Sequence, residues 1–497
     1  MTATATRFTA ADQRSFARLS GDHNPVHLDR VAARRVVAGE PIVHGVHLLL
    51  RLLEAQFAAA AARAPAAKRI AISIAFHQPA LVGERIRFAR DADGRWSAGG
   101  GRATLAVATI APIASNNSGS VGRGFQPRLG GPEMAALHGR SSRTRVAKAR
   151  RTPAVRGASD VEGAAGVVGV PPAAPFGRAF PRSTRALGAE MVAAIAGVSA
   201  LVGMECPGRD SLLSALRIEA TAHERPDRLE WRVERVDRRF GLVRMAVHGA
   251  GIAGTIDAFL RPAAAPLPTI ANAATRVSPC EFAGARALIV GGSRGLGAAA
   301  AMLIAAGGGT PIVTYASGGD DVAILQRDAE RAGRRIEALR LDVRARAAAR
   351  IVADAVARFD LTQLYYFATP RIFVRRSGPF DEALFDRFAG FYVSAFARIG
   401  TAAINAAPSL ALFYPSSTAI DDVPAELTEY ATAKAAGECI CRAIAEEHGR
   451  SHIVVRRLPR IATDQTASIL AAPAIDPFDA MLPIVREMHE LSCQSPE

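Results

Sequence analysis

The chain has 497 residues, 49% of them hydrophobic and 22% charged, with a formal net charge of +15 at pH 7. This length suits two to four domains with full cores, and the composition is that of an ordinary soluble globular protein rather than a fibrous or low-complexity chain. No apolar run reaches the roughly 18 residues of a membrane span, and MTATATRFTAADQR has no apolar stretch after a basic start, so a cytoplasmic location is expected. Five cysteines, Cys206, Cys280, Cys439, Cys441 and Cys493, support neither a disulfide framework nor a zinc site, and buried reduced thiols are expected.

The first region, residues 1–115, predicts a helix from Gly45 to Ala62 followed by alternating stretches such as AISIAFHQPALVGERIRFAR that read as strands. Before the helix stands SGDHNPVHLD, Ser20 to Asp29. An Asp and a neutral His on one loop can share a water and move protons at the carbon α to a carbonyl, which makes Asp22 and His27 a candidate pair for adding or removing water at a double bond. Such chemistry needs a donor for the thioester oxygen, and the Gly45 amide, at the start of the predicted helix, is the candidate. The plainer reading is that Asp22 or Asn24 caps a turn, and that His44 and His47 are packing or surface residues.

FARLSGDHNPVHLD followed by GEPIVHGVHLLL resembles the MaoC-like dehydratases, which include the (R)-specific enoyl-CoA hydratases of the α+β hot-dog fold, over about residues 8–112. The resemblance implies Asp22 and His27 as the catalytic pair, Asn24 as support for the loop, the Gly45 amide in the oxyanion hole, and no metal.

Residues 116–178 read as a basic flexible linker. Between Val121 and Arg156 nine Lys or Arg face Glu133 alone, which places eight of the fifteen excess charges there. A solvated linker is the plain reading, and an electrostatic dock for an acidic carrier protein or the CoA phosphates is the sharper one. Nucleic acid fits poorly, since only Phe125 is available for base stacking. Residues 179–263 then repeat the order of helix and strands without the motif, with Leu229/Trp231/Val233 and Val243/Met245/Val247 alternating. The expectation is a double hot dog whose second repeat is non-catalytic; the turn CPGRDS, with Cys206, is not expected to be a nucleophile site. A second linker is expected at 264–284.

From 285 to 497 strands and helices alternate, which predicts a Rossmann-like, doubly wound parallel sheet. ARALIV runs into GGSRGLG and an Ala-rich helix, so Gly291, Ser293, Arg294, Gly295, Leu296 and Gly297 are candidates for cradling a pyrophosphate. Asp342 and Val343 follow a third strand and are candidates for the adenine. Ser417, with Ser416 as the other possibility, ends a later strand, and Tyr430 and Lys434 lie one helical turn apart. This region resembles the short-chain dehydrogenase/reductase family. The resemblance implies Tyr430 as proton donor to a carbonyl, Ser417 holding its oxygen, and Lys434 lowering the phenol pKa and holding the nicotinamide ribose. The family's Asn-Asn-Ala-Gly reads Tyr366-Phe367-Ala368-Thr369, and its helix Asn, expected near Phe391 or Tyr392, is absent. The second strand ends TPIVTYASGG without an Asp or Glu, and Arg294 could meet a 2′-phosphate, so NADPH is expected over NAD.

The two resemblances together imply a 3-oxoacyl-thioester reductase joined to a 3-hydroxyacyl-thioester dehydratase, forming a homo-oligomer and acting in fatty-acid-like or polyketide-like synthesis. The alternatives are the same chemistry run oxidatively with NAD in breakdown, or a hydratase carrying a non-catalytic reductase-like module.

Overall fold

Alternation sets the first sheet. In strands β8 (Arg228–Asp237) and β9 (Leu242–Gly249) the side chains of Leu229, Trp231, Val233, Val243, Met245 and Val247 are all buried, and Trp231 pairs with Val247 and Val233 with Met245. One face of each strand therefore lies on the core, as its period of two requires. The computed structural model describes residues 4–34, 40–60, 70–100, 103–112, 152–221, 226–261, 268–374, 379–448, 452–466 and 473–494. The chain divides into one unit of residues 1–263 and another of 264–467 with 472–497.

The first unit holds ten antiparallel strands: β1 (Thr4–Arg7), β2 (Ile70–Phe76), β3 (Arg85–Arg90), β4 (Trp96–Gly100), β5 (Ala103–Pro112), β6 (Ala165–Gly169), β7 (Ser211–Ala220), β8, β9 and β10 (Ile252–Leu260). Their order is β1-β3-β4-β5-β2-β7-β10-β9-β8-β6. Counted within its own half, each group of five has the order first-third-fourth-fifth-second, and the halves join where β2 pairs antiparallel with β7, Ile72 opposite Ile218 and Ile74 opposite Leu216. Each half also sends one long apolar helix ahead of its second strand. These are Gly45–Ala60 and Ala189–Ala200, the latter continued by a π-helical turn, Leu201–Glu205. Every residue from Met191 to Met204 is buried, so this helix is enclosed and needs no polar face.

Two expected boundaries shift. Much of the linker expected at 116–178 lies outside the described residues, but 158–179 form a short helix, the edge strand β6 and a further helical turn. The second half thus begins earlier than its hydrophobic pattern indicates, because AGVVG is too short and too glycine-rich to register as a strand. The linker expected at 264–284 is also shorter, since Ile270, Ala273, Val277 and Phe282 pack into the core of the second unit.

The second unit is a six-stranded parallel sheet of β11 (Arg286–Val290), β12 (Thr310–Tyr315), β13 (Glu337–Arg340), β14 (Gln363–Tyr366), β15 (Ala411–Ser417) and β16 (Ile453–Leu458), ordered β13-β12-β11-β14-β15-β16. This is the Rossmann order, with its switch point between β11 and β14. Among the described residues no single helix is long and apolar enough to cross a membrane. All five cysteines are free, with Cys206 and Cys441 buried and Cys280, Cys439 and Cys493 exposed, so burial holds for two of the five.

Candidate active sites

The loop carrying Asp22 is set by the end of the helix Ala10–Ser20. Gly21 takes the left-handed conformation there, φ 79°, which stops the helix. Asp22 N–H then donates to Ser20 Oγ at 3.2 Å, and Asp22 Oδ1 accepts from Asn24 N–H at 3.1 Å. Asn24 caps the turn Pro25–Leu28 by accepting from Val26 N–H, and its amide donates to the carbonyls of Gly203 and Arg209, each at 3.1 Å. Asn24 thus caps the turn and ties the loop to the carbonyls of Gly203 and Arg209.

His27 lies on that turn. Its Nδ1 donates to the Ile42 carbonyl at 2.9 Å, which fixes the neutral tautomer and leaves the Nε2 lone pair facing Asp22 Oδ2 at 3.9 Å. That gap is too long for a direct hydrogen bond and short enough for one oxygen to be held by both groups. Burial raises the pKa of Asp22, opposed by His27, by Ser199 and by the Asn24 amide, and burial lowers that of His27. Both shifts favour the uncharged forms.

The residues of GVHL and its approach divide. His47 is a packing residue, stacked on Phe16 with centroids 4.5 Å apart, and burial pushes its pKa down to about 3. His44 is not merely packing. Its ring stacks on His27 at 3.8 Å and lies between two acceptors, Gln13 Oε1 at 2.8 Å from Nδ1 and the Asp22 carbonyl at 3.1 Å from Nε2, to one of which the neutral ring donates; Asp22 Oδ2 is 4.0 Å from Nε2. Gln13 Oε1 accepts from the His44 backbone N–H, so the orientation of the amide is determined. Asp22, His27 and His44 bring their ligand atoms within 4.8 Å of one another. Gly45 opens the helix Gly45–Ala60, so its N–H has no partner within the helix. A Cβ at Gly45 would lie 3.2 Å from Leu213 and 3.3 Å from Phe76.

Ser199 carries no motif or periodic signature that marks it beforehand. Its hydroxyl, from the second half, donates to Asp22 Oδ2 at 2.7 Å. Cys206 is buried, which pushes its thiol up to about 12 and leaves it inert at neutral pH.

In the second unit, β11 runs into the glycine turn and the helix Gly295–Ala306. A Cβ on Gly291, Gly292 or Gly297 would meet other atoms, mostly backbone, within 2.9 Å, so only glycine lets this turn close up beneath a helix N-terminus. The donors there suit a pyrophosphate, and the site fits a dinucleotide. Ser293 is part-buried and Arg294 exposed. Asp342 and Val343 follow β13, with Asp342 exposed and accepting from the Arg344 amide at 3.0 Å.

Ser417 lies beside the Tyr430 phenol, where its hydroxyl favours the ionised form, and its Oγ accepts from the Ala419 N–H at 3.2 Å. Ser416 instead donates to Glu438 at 2.6 Å, so the structure brings Ser417 to the tyrosine. Burial raises the Tyr430 pKa, opposed by Ser417. The expected lowering of the phenol by Lys434 does not follow, because the ammonium is turned elsewhere. It donates to the Pro415 carbonyl and lies 4.2 Å and 4.8 Å from the centroids of the Tyr392 and Tyr414 rings. Burial brings Lys434 down to about 7. Tyr392, near where the family's Asn was expected, bonds Thr369 through its hydroxyl at 2.5 Å.

Residues 2–101 match the family model described as MaoC like domain. Among solved structures, a short chain dehydrogenase from Burkholderia cenocepacia J2315 in complex with NADP is 25% identical, with a TM-score of 0.37, covering 42% of this chain and 91% of its own. A 3-oxoacyl (acyl-carrier-protein) reductase from Agrobacterium tumefaciens C58 with NADP bound is 20% identical, with a TM-score of 0.38, covering 43% and 90%. The landomycin C-6 ketoreductase LanV, with NADP and rabelomycin, is 21% identical, with a TM-score of 0.37, covering 42% and 89%. No curated protein matches the chain. Residues 2–101 thus match a MaoC like domain, and the C-terminal unit has the Rossmann strand order.

Proposed function

We propose that the chain catalyses two consecutive steps: reduction of a 3-oxoacyl thioester by its C-terminal unit, and dehydration of the resulting (R)-3-hydroxyacyl thioester to the trans-2-enoyl thioester by its N-terminal unit. The convergence of Asp22 and His27 on one oxygen-sized gap carries the reading. His27 Nε2, its lone pair free, takes the proton from the α-carbon. The bond from C3 to the hydroxyl then breaks as the protonated Asp22 carboxyl gives its proton to the leaving oxygen, which departs as water. The Gly45 amide meets the enolate charge on the thioester oxygen. Return of the proton from His27 to Asp22 completes the cycle, and hydration is the same path reversed.

The ten-stranded sheet, with its repeated strand order, supports a double hot dog whose second half lacks the catalytic motif. In the C-terminal unit a bound nicotinamide would supply the hydride. Gly291, Ser293, Arg294, Gly295, Leu296 and Gly297 would hold the pyrophosphate, and Asp342 and Val343 the adenine. Tyr430 gives a proton to the ketone oxygen while Ser417 holds that oxygen. The exposed Arg294, with no acid at the end of β12 or in the turn ASGG that follows it, favours NADPH. The basic segment, largely outside the described residues, would attract an acidic carrier protein or CoA phosphates. The enclosure of Lys434 by Tyr392, Tyr414 and the Pro415 carbonyl favours a second reading, in which the C-terminal unit is a non-catalytic module.

The test supplies acetoacetyl and crotonyl thioesters, each with NADPH and NAD. Reduction with NADPH and hydration of the crotonyl thioester are expected. Hydration without oxidation of NADPH would leave the module reading, and a preference for NAD would reverse the direction.

A further inference from the structure

The second half, although it lacks the catalytic motif, grips the catalytic loop of the first. The helix Ala189–Ala200 packs against both Ala10–Ser20 and Gly45–Ala60. Within the enclosed run Met191–Ala200 the side chains are apolar except for one hydroxyl, that of Ser199. A buried helical serine ordinarily bonds a carbonyl of its own preceding turn. Ser199 Oγ instead donates to Asp22 Oδ2 at 2.7 Å, across 177 residues of sequence, with Ser199 5% and Asp22 2% exposed.

One turn further on, Gly203 stands where a Cβ would lie 2.4 Å from Asp22 Oδ1. It belongs to the π-helical turn Leu201–Glu205, and its carbonyl accepts from the Asn24 amide. Such turns displace carbonyls from the regular helical ladder and concentrate at functional sites. The Arg209 carbonyl accepts from the same amide. The carboxylate is thus donated to by Ser199 on Oδ2 and by Asn24 N–H on Oδ1, and the Oδ2 side toward His27 is left for the reacting oxygen.

We infer that Ser199 is a positioning residue for the dehydratase, setting the orientation and proton affinity of Asp22 from the non-catalytic half. It touches no reacting atom and acts through Asp22. Donation to an ionised carboxylate stabilises that form, so Ser199 opposes the burial that drives Asp22 toward its protonated form. This inference rests on the proposed dehydratase reading.

The full-length chain is compared with its Ser199→Ala, Ser199→Thr and Gly203→Ala variants. The readouts are crotonyl-thioester hydration across pH and a 13C-carboxyl NMR titration of Asp22. Ser199→Ala is expected to lower kcat roughly tenfold or more, the scale of a hydrogen bond to a charged group. KM should be unchanged, while the basic limb, where Asp22 loses the proton it gives, and the Asp22 midpoint both move to higher pH. Ser199→Thr should restore them, and Gly203→Ala, which drives a methyl into the carboxylate, should lower kcat through the same residue. A fall in kcat with the limb and the midpoint unmoved would make the hydroxyl merely structural and overturn the inference, as would an unchanged kcat. A wild-type chain without hydration would end the dehydratase reading instead, since the carboxyl titration is read without turnover.

Discussion

The imidazoles of His27 and His44 stack with centroids 3.8 Å apart and planes 26° from parallel, beside the Asp22 carboxyl. Two protonated rings at that distance would repel one another in a site already poor in water, and burial lowers the pKa of both. His27 is therefore neutral over most of the working range. The acidic limb of crotonyl-thioester hydration is expected below pH 6.5, the ordinary value for an imidazole. His27→Gln should lower kcat by about 10²–10⁴-fold, the usual contribution of a positioned acid or base. A limb above 6.5 in the kcat/KM profile would contradict this.

Stability of the first unit should fall in acid. Burial brings His47 from the ordinary imidazole value of 6.5 down to about 3. Between those values the unfolded chain binds more protons, so stability is present above 6.5 and is lost as pH falls toward 3. His47→Leu, which keeps the contacts with Phe16 apolar, is expected to flatten the dependence. The check is thermal unfolding at pH 7 and pH 5, where the wild-type Tm should drop further than that of the variant.

Ser416 and Ser417 are adjacent and point to different partners, Glu438 and Tyr430. Ser417→Ala and Tyr430→Phe should abolish NADPH oxidation with acetoacetyl thioester and leave hydration intact. Ser416→Ala should leave both activities and lose only the contact with Glu438. Equal loss from both serines, measured by absorbance at the nicotinamide band, would count against the assignment.

Lys434 falls to about 7 on folding from the ordinary lysine value of 10.5. Between pH 7 and 10.5 the unfolded chain holds the extra proton, so this group makes the second unit more stable as pH rises, and its cost is full below 7. Lys434→Met should raise Tm at pH 6 and remove part of that slope while abolishing reduction. A lower Tm at pH 6 would mean that the tyrosine rings and the Pro415 carbonyl more than offset the burial.

What the sequence determined is local. SGDHNPVH contains its own cap and helix stop: Gly21 ends one helix, Asn24 caps the next turn, and Asp22 and His27 are held within six residues of each other. The glycine turn and the Tyr430/Lys434 spacing are equally local, and alternation fixed which faces of β8 and β9 are buried. Tertiary structure decided what meets these groups. From Met191 to Ala200 the helix is apolar on every side, so its single hydroxyl has no periodic signature, and only the pairing of β2 with β7 joins the sheet halves that carry Ser199 and Asp22. His44 looked like packing because a buried histidine and an active-site histidine have the same apolar neighbours in sequence. Lys434 looked like a partner for Tyr430 because helical spacing gives the shared face but not the direction of a long side chain. That direction was set by an oxygen acceptor and two aromatic rings, supplied by Pro415, Tyr392 and Tyr414 from outside its own helix.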